Sequence, residues 1–319
     1  MSAALRSWPG ADCRRGSDVS RRRRQALRSS AGKSSTGREA VRALACWLLP
    51  IAALAQDAAE LSQRAASAMR SQRFGEAESL YRELITMDPS NPMWRMNLGL
   101  ALHSAGRFAP AIQEFEAFAK ARPQAGPVHL LLGTAHLKLG QACAAIAPLE
   151  KAVAWNKERS QLELADAYYA CGRFERAARA YEAVRTMAAA RQAAHCYWQA
   201  RLYADAKRIF QTLEPAFAQE ARFQYEYGDT LARADGPGAG LPYLRRAVEA
   251  RPEWIAARGE LGKALLATGD AAGAVPHLEA ASHEDATLLL PLSRAYRESG
   301  READADRALK EYRAKTAAK

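Results

Sequence analysis

The sequence predicts an all-α chain, a solenoid of about eight helix–turn–helix repeats. The segment GRFERAARAYEAV at Gly172–Val184 has nearly the same residue types as GRFAPAIQEFEAF at Gly106–Phe118. These types recur with a period of about 34 residues, a length typical of one helix pair. Hydrophobic residues make up 49% of the chain, but Ala contributes heavily and runs of Val, Ile and Thr are almost absent. This composition favours closely packed helices over a β-sandwich or barrel.

Each repeat carries the same signals in the same order. Its first helix holds an apolar residue followed by a small one, as at Leu98-Gly99 and Leu132-Gly133, and a turn Gly comes next. The second helix holds an Ala and then a large apolar residue. The turn glycines are Gly106, Gly140, Gly172, Gly269 and Gly300, and the alanines are Ala77, Ala111, Ala145, Ala177, Ala206, Ala274 and Ala305. Gly permits positive φ in the turn, and small residues permit close helix approach.

We place the repeats at residues 58–91, 92–125, 126–157, 158–186, 187–220, 221–254, 255–285 and 286–319. Two of them depart from the pattern. The fifth has Arg201 where the turn Gly is expected, and the sixth has Gly240 in place of the Ala after a loose turn at residues 235–238. One helix pair cannot bury its apolar face alone, so neighbouring pairs are expected to stack and share a core. The charged last helix is expected to be a solvent-facing cap.

The order of Leu-Gly, turn Gly, Ala, large apolar residue and Pro resembles the tetratricopeptide repeat (TPR) family over residues 58–319. The resemblance implies a right-handed superhelix with a concave groove lined by first helices. In this family, ligands usually lie in that groove at the second, fifth, ninth and twelfth repeat positions. Some members bind acidic chaperone tails with a clamp of Lys, Asn and Arg residues. The ninth positions here are Ala66, Leu100, Thr134 and Asp166, so that clamp is not expected.

The resemblance also implies which side chains line the groove. The candidate partner-binding residues are Met96, Leu100, His103, Asp166, Tyr169, Arg191, His195, Trp198, Tyr225 and Asp229. The same positions elsewhere hold Leu130, Thr134, Leu137, Leu162, Lys263, Leu266, Arg294 and Arg297. Tyr169, Trp198 and Tyr225 form an expected aromatic cluster beside charged groups, a composition typical of interface hot spots. The alternative is that some of these residues pack between repeats.

The positive charge is concentrated at the front of the chain. The net charge is +11, and residues 1–55 hold eleven Lys and Arg against three acidic residues, which leaves the remainder close to neutral. Residues 1–40 are rich in Arg, Ser and Gly and are predicted to be a basic disordered leader, or an over-extended start. Residues 41–55 have the basic flank, short apolar run and Ala-x-Ala ending of a secretory signal, predicted to be cleaved before Gln56. A hydrophobic first helix of the fold is the alternative. The solenoid is assigned to residues 56–319.

No stretch of the sequence predicts catalysis, a cofactor or a metal site. Gly32-Lys33-Ser34 lacks the preceding Gly and strand of a phosphate-binding loop, since Leu27 stands at the required position. His129 and His136 are seven residues apart, too far to share a metal without other ligands. Cys143 and Cys171 are expected at the same side of an antiparallel stack, where they form either a disulfide or two small buried residues. Cys196 stays without a partner in both cases.

These observations predict a non-catalytic scaffold that captures a partner protein or peptide in the groove, in the periplasm, the cell envelope or outside the cell. No small-molecule cofactor is expected. The near-neutral body gives little reason to expect binding to nucleic acid, and membrane contact would come only through an uncleaved N-terminal segment. The alternative is a cytoplasmic regulatory adaptor whose basic arm contacts nucleic acid or an acidic membrane.

Overall fold

The computed structural model describes residues 56–317. The chain divides into two units, Met1–Ala66 and Ser67–Lys319. Of the first unit, only residues 56–66 are described, and they are helical. The predicted leader at residues 1–40 and the predicted signal at residues 41–55 lie outside the described residues and remain predictions. Within residues 56–317, no helix has both the length and the apolar character that crossing a bilayer needs.

Helices fill the described residues, which contain no strand. Helix α1 covers residues 56–70. It is followed by α2 (Phe74–Met87), α3 (Pro92–Ser104), α4 (Phe108–Ala121), α5 (Gly126–Lys138), α6 (Ala142–Trp155), α7 (Lys157–Ala170), α8 (Phe174–Glu182), α9 (Met187–Gln199), α10 (Tyr203–Phe217), α11 (Ala221–Ala234), α12 (Pro237–Ala250), α13 (Ile255–Ala267), α14 (Ala271–Ser282), α15 (Leu289–Glu298) and α16 (Glu302–Ala317). A short 3₁₀ helix at Ala286–Leu288 precedes α15.

In the second unit, the helices from α2 to α16 form a stack in which each packs on the next one along the chain. The predicted all-α solenoid of repeated helix pairs is therefore confirmed. First helices of successive repeats also touch one another, at α5–α7, α9–α11, α11–α13 and α13–α15. In the part of the chain that the structure describes, no two second helices pack to the same extent. The first helices thus form the more closely packed side of the stack.

The turn between the two helices of a repeat has one recurring geometry. In repeat 2, Gly106 has a φ of 76°, and the N–H of Arg107 donates to the carbonyl of Leu102 at 2.8 Å. This six-to-one hydrogen bond closes the helix end, and the left-handed residue before it favours Gly. Repeat 5 keeps the geometry without Gly, because Arg201 takes a φ of 59° and Leu202 donates to Tyr197 at 2.9 Å. Arg201 therefore occupies the expected turn position in a conformation that is strained for a residue with a Cβ.

Repeat 6 departs from the common turn, as its sequence predicts. The N–H of Asp235 donates to the carbonyl of Leu231, and the positive φ falls one residue later, at Gly236 with 106°. The helices then approach closely at Gly240, where an added Cβ would stand 2.3 Å from the carbonyl oxygen of Gly228. The glycine at the usual Ala position is thus required by the close contact between α11 and α12.

A disulfide joins repeats 3 and 4. Cys143 lies in the first turn of α6, Cys171 follows the last residue of α7, and their Cα atoms are 5.0 Å apart. Of the two outcomes left open by the sequence, the structure contains the disulfide. Cys196 is buried in α9 without a disulfide partner. Burial raises the pKa of the Cys196 thiol to about 12, and nearby Glu226 and Asp166 add to the shift, so the thiol is unreactive at neutral pH.

Candidate functional site

Two helices of the closely packed side, α9 and α11, meet through matching stripes of polar residues. On α9 the stripe is Arg191, His195 and Trp198. On α11 it is Arg222, Glu226, Asp229 and Arg233, spaced at four, three and four residues. Residues at this spacing lie on one face of a helix, so each stripe faces the other helix along its length.

Glu226 is the centre of an ionic cluster, which we define as Arg191, His195, Arg222 and Glu226. The Glu226 side chain is 1% exposed. Arg191 Nη1 donates to its Oε2 at 2.7 Å, while His195 Nδ1 and Arg222 Nε lie 2.9 and 2.8 Å from its Oε1. Because both carboxylate oxygens are engaged, the buried charge is compensated by hydrogen bonds as well as by positive charge.

The ionic cluster sets the protonation of Glu226. Burial raises the pKa of this carboxyl, but the hydrogen bond from His195 and the charge of Arg191 outweigh burial, with further help from Arg222, and lower the pKa to about 2. Glu226 is therefore ionised at all but strongly acidic pH. The other ring nitrogen of His195 lies 3.4 Å from the Tyr169 hydroxyl and 3.3 Å from Arg222 Nη2. Since Arg222 can only donate, Nε2 accepts its hydrogen bond and the Nδ1–H group donates to Glu226 Oε1.

An aromatic row crosses the same side of the stack, from repeat 4 to the end of repeat 6. In spatial order, its members are Phe174, Tyr169, His195, Trp198, Tyr225 and Trp254, and the centroids of neighbouring rings are 4.7 to 5.9 Å apart. These distances are within the range of favourable ring contacts. Within this row, Tyr169 is exposed, at 38%, whereas His195 is only 3% exposed.

Hydrogen bonds hold the row in place. Trp198 Nε1 donates to Asp229 Oδ2 at 2.7 Å, and Arg233 Nε donates to Asp229 Oδ1 at 2.9 Å. The Tyr181 hydroxyl donates to Asp166 Oδ1 at 2.5 Å, which fixes the exposed carboxylate of α7. Burial raises the pKa of Tyr225, and the nearby Glu260 and Asp229 carboxylates raise it further, so its hydroxyl stays protonated. The indole and the carboxylates therefore keep fixed orientations before any partner arrives.

The candidate residues differ widely in their accessibility. Asp166 and Tyr169 are exposed, whereas Leu100, His103, Arg191, Trp198 and Tyr225 are partly buried. Met96, His195 and Asp229 are only 1%, 3% and 4% exposed, so these three pack within the stack, which is the alternative stated for some of the candidate residues. Met96 is a core residue of repeat 2. His195 and Asp229 lie beneath the surface, where they hold Glu226, Trp198 and Arg233 by hydrogen bonds.

Five contributors to this surface are absent from the sequence-based set: Phe174, Arg222, Glu226, Arg233 and Trp254. Arg222 is at the second position of repeat 6, which is a groove position, whereas Glu226 and Arg233 are at the sixth and thirteenth positions, which the groove pattern omits. A signal for them is present in α11, where Arg222–Glu226 and Asp229–Arg233 are opposite charges four residues apart. Such pairs stabilise a helix face and are easily taken for solvent-exposed ion pairs.

The corresponding side of repeats 2 and 3 has little polar organisation. Leu100, Leu130 and Leu137 are partly buried there, and the His103 ring packs against Phe108 and Phe115 at 5.2 and 6.3 Å. His103 Nε2 is buried without a hydrogen-bond partner. Burial lowers the pKa of His103, and Lys138 lowers it further, so the ring is neutral at physiological pH.

A shallow cavity lies further along the stack, between the first helices of repeats 7 and 8. Its volume is about 330 Å³, and it is lined by Lys263, Leu266, Ala267, Leu290, Pro291 and Arg294. Three of these, Lys263, Leu266 and Arg294, occupy predicted groove positions. Among the described residues, no group of three or more His, Cys, Asp or Glu side chains is arranged to hold a metal ion.

Comparison with known proteins agrees with the repeated helix pairs. Residues 62–126 and 106–161 match the tetratricopeptide repeat family model. The Hsp70-Hsp90 organizing protein of Triticum aestivum is 32% identical over 110 residues, which is 34% of this chain and 19% of that protein. The chain thus spans about a fifth of the length of this curated relative.

Two solved structures are similar in arrangement. The C-terminal part of a TPR repeat-containing protein from Cytophaga hutchinsonii is 16% identical and covers 70% of this chain and 95% of its own, with a TM-score of 0.49. YrrB, described as a TPR protein with an unusual peptide-binding site, is 24% identical and covers 51% of this chain and 90% of its own, with a TM-score of 0.44. The successive packing of helix pairs in this chain is typical of a TPR solenoid.

Proposed function

We propose that this chain is a non-catalytic protein-binding scaffold, and that a partner segment docks on the first-helix surface formed by α7, α9 and α11. One observation carries the proposal: the aromatic row is fixed from beneath by buried hydrogen bonds, while Tyr169 and part of Trp198 remain open to solvent. Aromatic residues and Arg are the residue types that most often dominate the binding energy of protein interfaces.

Fixed side chains lower the cost of binding. A mobile Trp or Arg loses about 0.5–1.5 kcal/mol of side-chain entropy when a partner immobilises it. Here Trp198 already donates to Asp229, and Arg191 to Glu226, so much of that loss is incurred on folding. A preorganised surface of this kind supports capture of a protein segment without rearrangement of the scaffold. The TPR match over residues 62–161 gives independent support for a protein-binding role.

We also propose that the protein works in the periplasm, the cell envelope or outside the cell. The disulfide between Cys143 and Cys171 supports export, because disulfides form and persist in oxidising compartments. The signal-like sequence of residues 41–55 supports it independently. The basic run at residues 21–24 favours the alternative, a cytoplasmic adaptor whose basic arm contacts nucleic acid or an acidic membrane.

The binding test compares the wild-type protein with a variant that carries Tyr169→Ala and Trp198→Ala. Each is immobilised, exposed to an extract of its own cells, and analysed by quantitative mass spectrometry of the retained proteins. We expect specific partners to fall at least tenfold on the double variant, while the helical circular dichroism signal stays the same. Trp155→Ala is the matched control, because Trp155 is a 45% exposed aromatic residue at the end of a second helix. Equal retention by the wild type and the double variant would contradict the proposal.

The compartment is tested by the intact mass and N-terminal sequence of the protein purified from its own cells. A first residue at Gln56 is the expected result and means that the basic arm is removed on export. A first residue at Met1 supports the adaptor instead. In that case, binding to a nucleic acid or to anionic vesicles should weaken steeply with salt and disappear when residues 1–40 are deleted.

A further inference from the structure

The stripe on α11 has an arginine at each end and two carboxylates between them. Arg222 and Arg233 are eleven residues apart, which is three helical turns and about 17 Å along the axis. Both arginines therefore project from the same face of the helix. Glu226 and Asp229 occupy the interval on that face.

The four charges of this stripe differ in their exposure to solvent. The carboxylates are buried, with side-chain exposures of 1% for Glu226 and 6% for Asp229. The arginines are open, since 60% of the Arg222 side chain and 45% of the Arg233 side chain face solvent. Each carboxylate binds its arginine from below and fixes the guanidinium group, whose outer side stays accessible. A partner approaching this surface thus meets two oriented positive groups in front of their negative counterparts.

The neighbouring charges leave this positive character in place. Arg191 is 14% exposed and is engaged with Glu226. Glu260 is 21% exposed, lies 3.6 Å from Arg233, and also pairs with Lys263, which is 39% exposed. Asp166 on α7 is an exposed acidic group of the α7–α11 surface, and it accepts a hydrogen bond from Tyr181. Around Arg222 and Arg233, the acidic groups are more buried than the cationic groups that they pair with.

We infer that the partner segment docked on this surface is an extended acidic polypeptide, held by carboxylates on Arg222 and Arg233 and by apolar side chains on the aromatic row. This inference rests on the proposed function and names the chemical class of its partner. An extended chain advances about 3.3 Å per residue and turns successive side chains to opposite faces, so only an even spacing presents two side chains to one surface. Six positions, about 20 Å, are the nearest even spacing that covers the distance between the two arginines. The segment therefore carries two acidic side chains six positions apart. Arg pairs with carboxylates through two parallel hydrogen bonds, which gives each contact a defined direction.

The test uses the purified full chain and fluorescein-labelled peptides of ten residues, measured by fluorescence anisotropy. Each peptide has two glutamates placed two, six or seven positions apart, with alanine, serine and one leucine at the other positions. A peptide with two glutamines and one with two lysines, both six positions apart, complete the set. We expect the six-position glutamate peptide to bind at least tenfold more tightly than the glutamine peptide. Its affinity should fall as salt is raised, and the lysine peptide should bind more weakly than either.

Arg222→Gln combined with Arg233→Gln is expected to remove this tenfold preference. The matched control combines Arg179→Gln with Arg307→Gln, which removes the same charge from exposed arginines on second helices and should keep the preference. Circular dichroism and urea unfolding establish that both variants fold. Loss of the preference in the control variant would mean that net charge, and not these two arginines, determines binding, and would overturn the inference.

Two further results would overturn it. One is equal binding of the glutamate and glutamine peptides, and the other is equal or tighter binding of a ten-nucleotide single-stranded DNA. If partners retained from cell extract depend on Tyr169 and Trp198 while no acidic peptide binds, the proposed function stands and only the acidic class fails. If retention does not depend on those aromatic residues either, the proposed function fails as well. Equal affinity at all three spacings would contradict the six-position geometry.

Discussion

Repeats 2 and 3 share a scaffold with repeats 4 to 6 but carry a different first-helix surface. On α3 and α5 the surface is mainly apolar, and the buried His103 Nε2 has no hydrogen-bond partner. On α7, α9 and α11 it contains the ionic cluster and the hydrogen-bonded aromatic row. Leucine contacts tolerate small shifts of one helix along another, whereas a shift here would leave the Glu226 carboxylate buried without partners. The polar region therefore fixes the register of α9 against α11.

The largest expected effect is the difference in stability lost when a carboxylate is removed from the buried ionic cluster and when one is removed from a more exposed ion pair. Glu226→Ala leaves Arg191 and His195 without their carboxylate and should lower the free energy of unfolding by about 3–5 kcal/mol. Glu114→Ala in repeat 2 removes a carboxylate that is 21% exposed and pairs with Arg95 alone. Glu114→Ala should therefore lower the free energy of unfolding by less than about 1 kcal/mol. Urea unfolding followed by circular dichroism measures both. Equal losses of stability in the two variants would contradict the distinction between the ionic cluster of repeats 4 to 6 and the ion pair of repeat 2.

The second-largest expected effect on stability comes from the disulfide that joins repeat 3 to repeat 4. The disulfide closes a segment of 28 residues between repeat 3 and repeat 4, and replacing Cys143 and Cys171 by Ser should lower the free energy of unfolding by about 3 kcal/mol. The same urea titration with dithiothreitol provides the control. Reductant should bring the wild-type protein to the stability of the double variant and leave the variant unchanged. A wild-type protein that is insensitive to reductant would contradict the expectation.

Acid should weaken the polar region more than the apolar one. The usual carboxyl pKa of 4.5 falls to about 2 at Glu226 on folding. The stability that this shift provides is complete above about pH 4.5 and is lost as the pH falls towards 2. Between pH 5 and pH 3, the wild-type protein should therefore lose about 2 kcal/mol more than Glu226→Gln, as measured by urea midpoints at each pH. Parallel losses in the two proteins would be inconsistent with this role for Glu226.

The smallest expected effect concerns the turns, which differ between the regions at repeat 5. Arg201 adopts a φ of 59° where repeats 2, 3 and 4 have Gly. Arg201→Gly should raise the free energy of unfolding by about 1 kcal/mol, because Gly adopts this conformation without a clash at Cβ. Arg201→Ala removes the side chain but keeps the Cβ, and it should leave stability nearly unchanged. The interpretation fails if the Ala variant gains as much as the Gly variant.

The fold could be predicted from the sequence because its determinants are local and repeated. A turn glycine such as Gly106, a small residue such as Gly99 and a large one such as Phe115 each recur once per helix pair. Even the exceptions were recognisable, since Arg201 and Gly240 stand at defined positions of the pattern. The sequence could not decide whether Cys143 and Cys171 are joined, because that depends on the distance between helix ends in neighbouring repeats.

The candidate site was only partly predictable, because its central contacts join distant residues. Trp198, Tyr169 and Tyr225 were identified as an aromatic cluster from their repeat positions, and their rings do lie in one row. Glu226 was missed, since its partners Arg191 and His195 lie 35 and 31 residues earlier in the chain. Met96 was expected to line the groove but is buried, because the same repeat position is buried in one repeat and open in another. Burial of a position depends on the side chains of the neighbouring repeat.

The disulfide also changes how mechanical load passes through the chain. The segment from Cys143 to Cys171 includes nearly all of α6 and α7, so tension applied to the two ends of the protein crosses the sulfur–sulfur bond and bypasses both helices. The fully stretched chain is about 90 Å shorter when the bond is intact. Neighbouring helix pairs can therefore be pulled out while Tyr169, two residues before Cys171, stays on a helix that bears no load.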